Sequence, residues 1–147
     1  MAVSEPLIRD IGEVDFERVA ELTNRSFPHM AMTPSKIAWR LSLGYKYFVA
    51  VINSEVVGFV DIRPRQKTAK LMGMAVDEKF RGHGVGGALI RKTIEFATEN
   101  GKRILYLNVK CDNPTAINFY KTQGFLLKKE LEKNGERFYV FYRRLET

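Results

Sequence analysis

Four glycines cluster in the middle of the chain, in the segment Arg81-Gly-His-Gly-Val-Gly-Gly87. An apolar run that ends at Val76 precedes this segment, and a helix-like pattern follows it. Glycines at the start of a helix allow unpaired backbone N–H groups to converge on one point. These N–H groups can bind an anion. The positive end of the helix dipole and the Arg81 side chain would strengthen that binding. The segment therefore predicts a site for a phosphate-bearing ligand.

The spacing Gly82-x-Gly84-x-x-Gly87 formally matches the dinucleotide-binding fingerprint, but its context differs. The first glycine of that fingerprint lies in a tight turn at the end of its strand, whereas residues 77–81 intervene here. The fingerprint also requires an acidic residue about 20 positions further on, and Leu105–Val109 contains none. The lysine and hydroxyl residue of a mononucleotide P-loop are absent after Gly87. Both nucleotide-binding patterns are therefore disfavoured.

Length and composition indicate one globular domain, residues 1–147. The chain has 147 residues, of which 45% are hydrophobic and 28% charged, close to the average for globular proteins. No apolar run reaches the length of a membrane span, and Met1–Pro6 lacks a signal-peptide pattern. The single cysteine, Cys111, excludes an internal disulfide and a thiolate zinc cluster. We expect a cytoplasmic protein without a metal site.

The net charge of +7 suits an anionic partner. Most of the excess lies after residue 76, in the half that contains the glycine segment. Such a field would steer an anionic cofactor or nucleic acid. The basic residues are scattered, however, and no recognition helix or zinc-finger pattern is present. Nucleic-acid binding is therefore disfavoured as the main role.

Apolar periodicity and turn residues predict the order β-α-α-β-β-β-α-β-α-β-β. Thr33-Pro34 and Asn113-Pro114 are typical helix starts, Asp15 is a candidate N-cap, and Asn134-Gly135 indicates a hairpin. The predicted segments are strands 7–11, 47–52, 56–62, 69–76, 103–109, 125–132 and 138–144, and helices 15–24, 33–43, 84–100 and 113–123. Hairpins at both ends and a β-α-β unit between them imply a mixed, mostly antiparallel sheet of about seven strands with helices on both faces.

Two motifs together resemble those of a known family. Arg81-Gly-His-Gly-Val-Gly-Gly-Ala-Leu89, preceded by Met74-Ala-Val-Asp77, is similar to the Arg/Gln-x-x-Gly-x-Gly/Ala loop of the GCN5-related N-acetyltransferases (GNAT). Asn113-Pro-x-Ala-x-x-Phe119-Tyr120-x-x-x-Gly124-Phe125 resembles the second signature of that family at its expected distance. The predicted elements follow the family order over nearly the whole chain. The resemblance implies an α+β, acyl-CoA N-acyltransferase-like fold with three layers.

The resemblance also implies that acetyl-CoA is the phosphate-bearing ligand. The strand around Met74 would offer main-chain groups to the pantetheine arm and a backbone N–H to the oxyanion, while Arg81 and the loop amides would hold the pyrophosphate. Residues of the second signature would contact the cofactor near the splayed strand ends. The implied cofactor-binding residues are Met74, Ala75, Val76, Arg81, Gly82, His83, Gly84, Val85, Gly86, Gly87, Asn113, Phe119 and Tyr120.

Acetyl transfer to an amine needs an acid for the departing thiolate and, for a protonated amine, a base. By its place in the second signature, Tyr120 is the candidate general acid; its ordinary pKa of about 10 keeps it protonated at neutral pH. Periodicity alone would instead suggest a core tyrosine on an amphipathic helix.

The general base is less clearly indicated by the sequence. Many family members have a carboxylate on the strand that leads to the loop, and Lys70–Val76 has none. Asp61, within an otherwise apolar strand, is the tentative base, although a solvent-facing strand end is the simpler interpretation. His29 and His83 lie in predicted loops and are less suitable as the base. Without an obvious base, an acceptor of low pKa such as an α-amine is mildly favoured.

The acceptor itself is only loosely defined. Phe27–Met32, the helix with Trp39 and the last hairpin contain few acids, which disfavours polyamines. Met30 and Met32 could adapt to varied acceptors, and Cys111 has no activating neighbour in the sequence. We expect direct transfer from acetyl-CoA to a primary amine of a peptide, a protein or a small molecule. A non-catalytic acyl-CoA-binding module of the same fold is the alternative, and a homodimer is left open.

Overall fold

The computed structural model describes residues 5–146, which form a mixed sheet with four α-helices. The predicted order of elements is confirmed, with most boundaries within two or three residues. The elements are β1 (Leu7–Asp10), α1 (Phe16–Ser26), α2 (Pro34–Ser42), β2 (Lys46–Ile52), β3 (Glu55–Pro64), β4 (Thr68–Val76), α3 (Val85–Glu99), β5 (Ile104–Lys110), α4 (Pro114–Thr122), β6 (Leu126–Lys133) and β7 (Glu136–Arg144).

The strands of the described residues lie in one sheet in the order β1-β2-β3-β4-β5-β7-β6. Only β4 and β5 are parallel neighbours; every other adjacent pair is antiparallel. The parallel pair follows from the connection through α3, since a helix crossover returns the chain in its original direction. The predicted mixed and mostly antiparallel sheet is therefore confirmed.

Two hairpins close with two-residue turns. Asn53 and Ser54 have φ values of +49° and +66°, and Asn134 and Gly135 have +53° and +79°. Positive φ at both central residues matches the right-handed twist of the strands, and asparagine and glycine tolerate it best. The hairpin predicted at Asn134-Gly135 is confirmed.

Helices cover the two faces of the sheet differently. Strand alternation sends Val60 and Ile62 of β3 into a core with α3 and α4, and sends Phe59 into a second core with α1 and α2. The α1–α2 side also buries Met32, so this methionine is a core residue and not an adaptable acceptor contact as the sequence suggested.

Asp15 is the N-cap residue of α1, as predicted, but its carboxylate makes no capping hydrogen bond to that helix. Instead, Asp15 accepts hydrogen bonds from the Gly12 N–H at 2.7 Å and from Arg9 at 2.7 Å. The chain makes a 3₁₀ turn at Glu13–Asp15 before α1 begins, and the aspartate closes that turn. The caps predicted at Thr33 and Asn113 are confirmed by hydrogen bonds from the N–H groups of Lys36 and Ala116.

The parallel strands β4 and β5 separate soon after they meet. They pair only from Thr68 to Lys70 and from Ile104 to Tyr106, although β4 continues to Val76 and β5 to Lys110. A bulge in β4 lies just after the last residue paired with β5, because Asp61 pairs with Gly73 while Ile62 pairs with Leu71. The result is an opening in the middle of the sheet, which we call the β4–β5 gap.

Candidate functional site

The β4 edge of the gap presents main-chain groups that do not pair with β5. The N–H of Asp77 donates to Val57 O on β3 at 2.7 Å. Because main-chain groups alternate in direction along a strand, those of Val76 and Met74 point to the opposite edge, where β5 has diverged. Val76 O accepts a hydrogen bond from Arg81 Nε at 3.3 Å. This edge can therefore pair with an extended ligand, whereas the Ala75 side chain is buried in the α1–α2 core.

The glycine segment brings free amides to the start of α3. Gly84 is the N-cap, with a φ of +81° that favours glycine. The first helical bond runs from the Ala88 N–H to Gly84 O. The amides of residues 85–87 consequently have no partner within the helix. Residues 81–84 before them are exposed, so an anion can approach this helix start from solvent.

The two sequence motifs meet at Gly86. A Cβ at this residue would lie 3.2 Å from Cζ of Phe119 and 3.8 Å from Cε of Met74. The absence of a side chain thus allows the phenyl ring of α4 to rest against the first turn of α3. This contact places Phe119, the β4 edge and the anion-binding loop beside one another. The arrangement fits a ligand with an extended arm and a phosphate group.

A buried ion pair holds the connection between β4 and the loop. Arg18 of α1 donates through Nη2 to Asp77 Oδ2 at 2.6 Å and through Nε to Val56 O at 3.0 Å. The other oxygen of Asp77 accepts the Lys79 N–H at 3.0 Å. This backbone hydrogen bond, together with Arg18, holds the pKa of Asp77 below its ordinary value. Helix α1 is therefore tied to the turn from which Arg81 projects.

Tyr120 lies on the buried side of α4 and is 8% exposed. Its ring makes edge contacts with Phe119 and Phe125, with centroid distances of 5.1 and 5.7 Å. Burial raises the pKa of its phenol above the ordinary value. Within residues 5–146 the hydroxyl has no hydrogen-bond partner. Because its pKa is raised, the phenol stays protonated at neutral pH, and it lies beside the residue that contacts Gly86.

Asp61 is 3% exposed, so the interpretation as a solvent-facing strand end is wrong. Its Oδ2 accepts a hydrogen bond from Arg40 Nη2 of α2 at 2.6 Å. Its Oδ1 faces β4, since a Cβ on Gly73 would lie 3.0 Å from that oxygen. Burial raises the pKa of Asp61 to about 6, although Arg40 opposes this effect. The carboxylate can thus accept a proton near neutral pH at the bulge of β4.

The remaining candidates from the sequence differ in their positions. His29 is exposed and lies apart from these groups, whereas His83 is exposed within the anion-binding loop itself. Partial burial and the Glu130 carboxylate raise the pKa of Cys111, which disfavours its thiolate. Asn113 is exposed and uses its Oδ1 to cap α4.

Sequence reasoning missed the arginines that hold the site. Arg40 and Arg18 come from α2 and α1, far from Asp61 and Asp77 in the chain. Their helical spacing gives no sign of a buried partner. Gly73 could have indicated the buried carboxylate, because a glycine inside a strand often marks a bulge or the close approach of another group.

No helix in residues 5–146 is both long and apolar enough to cross a membrane. Among the same residues, no group of three or more histidine, cysteine or acidic side chains is placed to bind a metal ion.

Comparison with known proteins identifies the family. The model of the acetyltransferase (GNAT) family matches residues 16–125. The L-amino acid N-acetyltransferase AaaT of Escherichia coli is 32% identical over 162 aligned positions, which cover 95% of this chain and 97% of that protein. An uncharacterised N-acetyltransferase of Methanocaldococcus jannaschii is 42% identical over 99 residues, covering 62% of this chain but only 43% of that protein.

A solved structure shows the same fold. The acetyltransferase yncA of Salmonella typhimurium, crystallised with acetyl-CoA, superposes with a TM-score of 0.81 over 97% of this chain and 95% of that one, at 22% identity. The family match covers both the glycine loop and the second motif, which the fold brings into contact. This chain belongs to the acetyltransferase (GNAT) family, whose enzymes use acetyl-CoA as the acetyl donor.

Proposed function

We propose that this protein transfers the acetyl group of acetyl-CoA directly to the primary amine of an acceptor. The observation that carries the proposal is the contact between Gly86 and Phe119 beside the β4–β5 gap. It joins a strand edge whose main-chain groups do not pair with β5 to a helix start whose first amides have no partner within the helix. Such a pair of features suits a ligand that combines an extended arm with a pyrophosphate.

The residues around the gap fit acetyl-CoA. The Val76 and Met74 main-chain groups would pair with the pantetheine arm, and Arg81 with the amides of residues 82–87 would bind the pyrophosphate. Within residues 5–146 the side-chain NH₂ of Asn113 donates no hydrogen bond, so it could make a further contact. Phe119 would pack against the arm. When bound, acetyl-CoA supplies an acetyl group activated as a thioester.

Two buried groups on this chain have the protonation states that the transfer needs. Asp61, with a pKa of about 6, is mostly ionised at neutral pH and would accept the proton of the acceptor amine. Tyr120 stays protonated because burial raises its pKa, and it would donate its proton to the departing sulfur. A main-chain N–H near the β4 bulge would stabilise charge on the carbonyl oxygen.

The similarity to the amino acid acetyltransferase of Escherichia coli supports an amine acceptor. The match to a family of acetyltransferases favours catalysis over the non-catalytic acyl-CoA-binding alternative.

Thiol release from acetyl-CoA, measured with amino acids, peptides and small amines, tests the proposal. We expect release that depends on one acceptor class and an N-acetylated product detected by mass spectrometry. A shift of the melting temperature with acetyl-CoA in the absence of turnover with every acceptor would contradict the catalytic role. No shift at millimolar acetyl-CoA would contradict binding itself, since a ligand at 100 times its Kd stabilises by about 2.7 kcal/mol.

A further inference from the structure

A group of positive side chains lies where β4 and β5 stop pairing. Lys70 is the last β4 residue paired with β5, opposite Tyr106, and on its other side it pairs with Arg63 of β3. The Lys70 Nζ lies 6.0 Å from the centre of the Tyr106 ring. Arg65 lies in the β3–β4 turn and Lys133 at the tip of the β6–β7 hairpin. We call Arg63, Arg65, Lys70 and Lys133 the basic cluster.

The centre of this cluster lies on the face of the sheet opposite α3 and α4. The neighbours of Lys70 in β4, Ala69 and Leu71, both point into the α3–α4 core, so Lys70 points away from it. By the same alternation, Arg63 and Asp61 of β3 point to the same face of the sheet. Their Cα atoms are two residues apart along the strand, or about 7 Å. An amine at Asp61 could therefore belong to the same small molecule as a group at Lys70.

Among the described residues, salt bridges do not compensate the charge of this cluster, although Glu136 lies opposite Lys133 in the β6–β7 register. Within residues 5–146, none of its four members forms a salt bridge with a carboxylate. The nearby carboxylate of Asp61 is already bonded to Arg40. Burial, followed by the charges of Lys133, Arg63 and Arg65, lowers the pKa of Lys70. Lys70 and Arg63 are partly buried, whereas Arg65 and Lys133 are exposed. Like charges around a partly buried lysine are costly unless an anion joins them.

We infer that the basic cluster binds a carboxylate of the acceptor, so that the substrate is a small amino acid whose amine lies at Asp61 and whose carboxylate lies at Lys70. This inference rests on the proposed function and names the acceptor of that same site. The anion would lie on the face opposite the glycine loop, which separates it from the phosphates of the cofactor. A polyamine would be repelled by the same charges.

The test compares free amino acids with their carboxamides, which keep the side chain and the amine but lose the negative charge. We expect kcat/KM to be at least about tenfold higher for the acids, as is typical of one charge-assisted hydrogen bond. Lys70→Met keeps most of the apolar stem and removes the charge. It should raise KM for the acids about tenfold and leave the carboxamides unchanged. Lys128→Met, an exposed substitution on β6 outside the cluster, controls for net charge.

Calorimetry provides a readout that does not depend on turnover. The acid should bind the complex of the protein with coenzyme A more tightly than the carboxamide does, and the difference should shrink in Lys70→Met. Lys133→Met, at an exposed hairpin tip, gives a second variant that should fold normally. Equal affinity for acid and carboxamide would overturn the inference while leaving the transferase activity intact. A preference for peptides with an acidic second residue over free amino acids would also overturn it.

Discussion

The ring of Phe119 rests against the backbone of Gly86, and a Cβ at that glycine would lie 3.2 Å from the ring. One residue belongs to α4 and the other to the first turn of α3. Their contact joins the anion-binding loop to the helix that carries Tyr120. A side chain added at Gly86 should therefore displace the ring of Phe119.

Gly86→Ala should weaken acetyl-CoA binding with little loss of stability. The added methyl group forces Phe119 to move by a few tenths of an ångström, while alanine is favoured over glycine in a helix by about 1 kcal/mol. Titration with acetyl-CoA and urea unfolding measure the two effects. Adding Phe119→Leu should relieve the clash, so the double variant should depart from additivity by about 0.5 kcal/mol or more in unfolding free energy. Additive effects would show that the two residues do not compete for space.

Arg18→Met should destabilise the fold and weaken acetyl-CoA binding. The substitution leaves the Asp77 carboxylate without its 2.6 Å partner, a loss of about 1.5–3 kcal/mol. The matched control is Arg25→Met, because Arg25 is 60% exposed and lies 4.0 Å from the same carboxylate. Arg25→Met should lower the free energy of unfolding by less than about 1 kcal/mol. In the native protein the pKa of Asp77 is lowered, so its stabilising effect is present above its ordinary value of 3.8 and is lost as the pH falls through the folded-state value.

Arg40→Met should destabilise the protein most strongly above pH 6. Without Arg40 the buried Asp61 has no cationic partner, and breaking such a pair costs about 3–5 kcal/mol. Loss of Arg40 raises the pKa of Asp61 beyond its present value of about 6. The cost is therefore small where Asp61 is protonated in both proteins and grows as the pH rises through these values. Urea unfolding of both proteins between pH 5 and pH 8 measures this difference in the free energy of unfolding. In the double variant Arg40→Met/Asp61→Asn most of the pH dependence should vanish.

Tyr120→Phe should lower kcat by about 10²-fold or more, the usual range for loss of a general acid. The phenyl ring keeps its packing, and the lost hydroxyl has no partner within residues 5–146. Stability and the affinity for acetyl-CoA should therefore change little. Steady-state kinetics with a proven acceptor and a cofactor titration make the comparison, with Tyr139→Phe as the control. Unchanged turnover would remove Tyr120 from the acid role.

Asp61→Asn should abolish the acidic limb of the pH profile. If Asp61 accepts the proton of the amine, native kcat/KM falls as the pH drops below about 6, where the carboxylate becomes protonated. The asparagine variant should be slow at every pH and lack that limb. A variant that retains native turnover would leave Asp61 with a structural role only, as the partner of Arg40.

The sequence by itself determined the elements, their order and the anion-binding loop. These features depend on local physical chemistry: apolar periodicity, proline after Thr33 and Asn113, the turn at Asn134-Gly135, and glycines at the start of α3. Residues near one another in the chain decide each of them. For the same reason, the family motifs around Arg81 and Phe119 could be read from the chain alone.

Only the tertiary structure decided which distant groups meet. The early separation of β4 from β5, the burial of Asp61 and its pairing with Arg40 depend on how helices cross the sheet. Lys70 and Lys133 lie far apart in sequence, yet the charge of Lys133 on the β6–β7 hairpin contributes to the lowered pKa of Lys70. A pKa depends on burial and on neighbouring charges, neither of which local sequence specifies. The anion-binding loop can therefore be predicted from the sequence. The pKa values of Asp61 and Lys70 depend on tertiary packing and cannot.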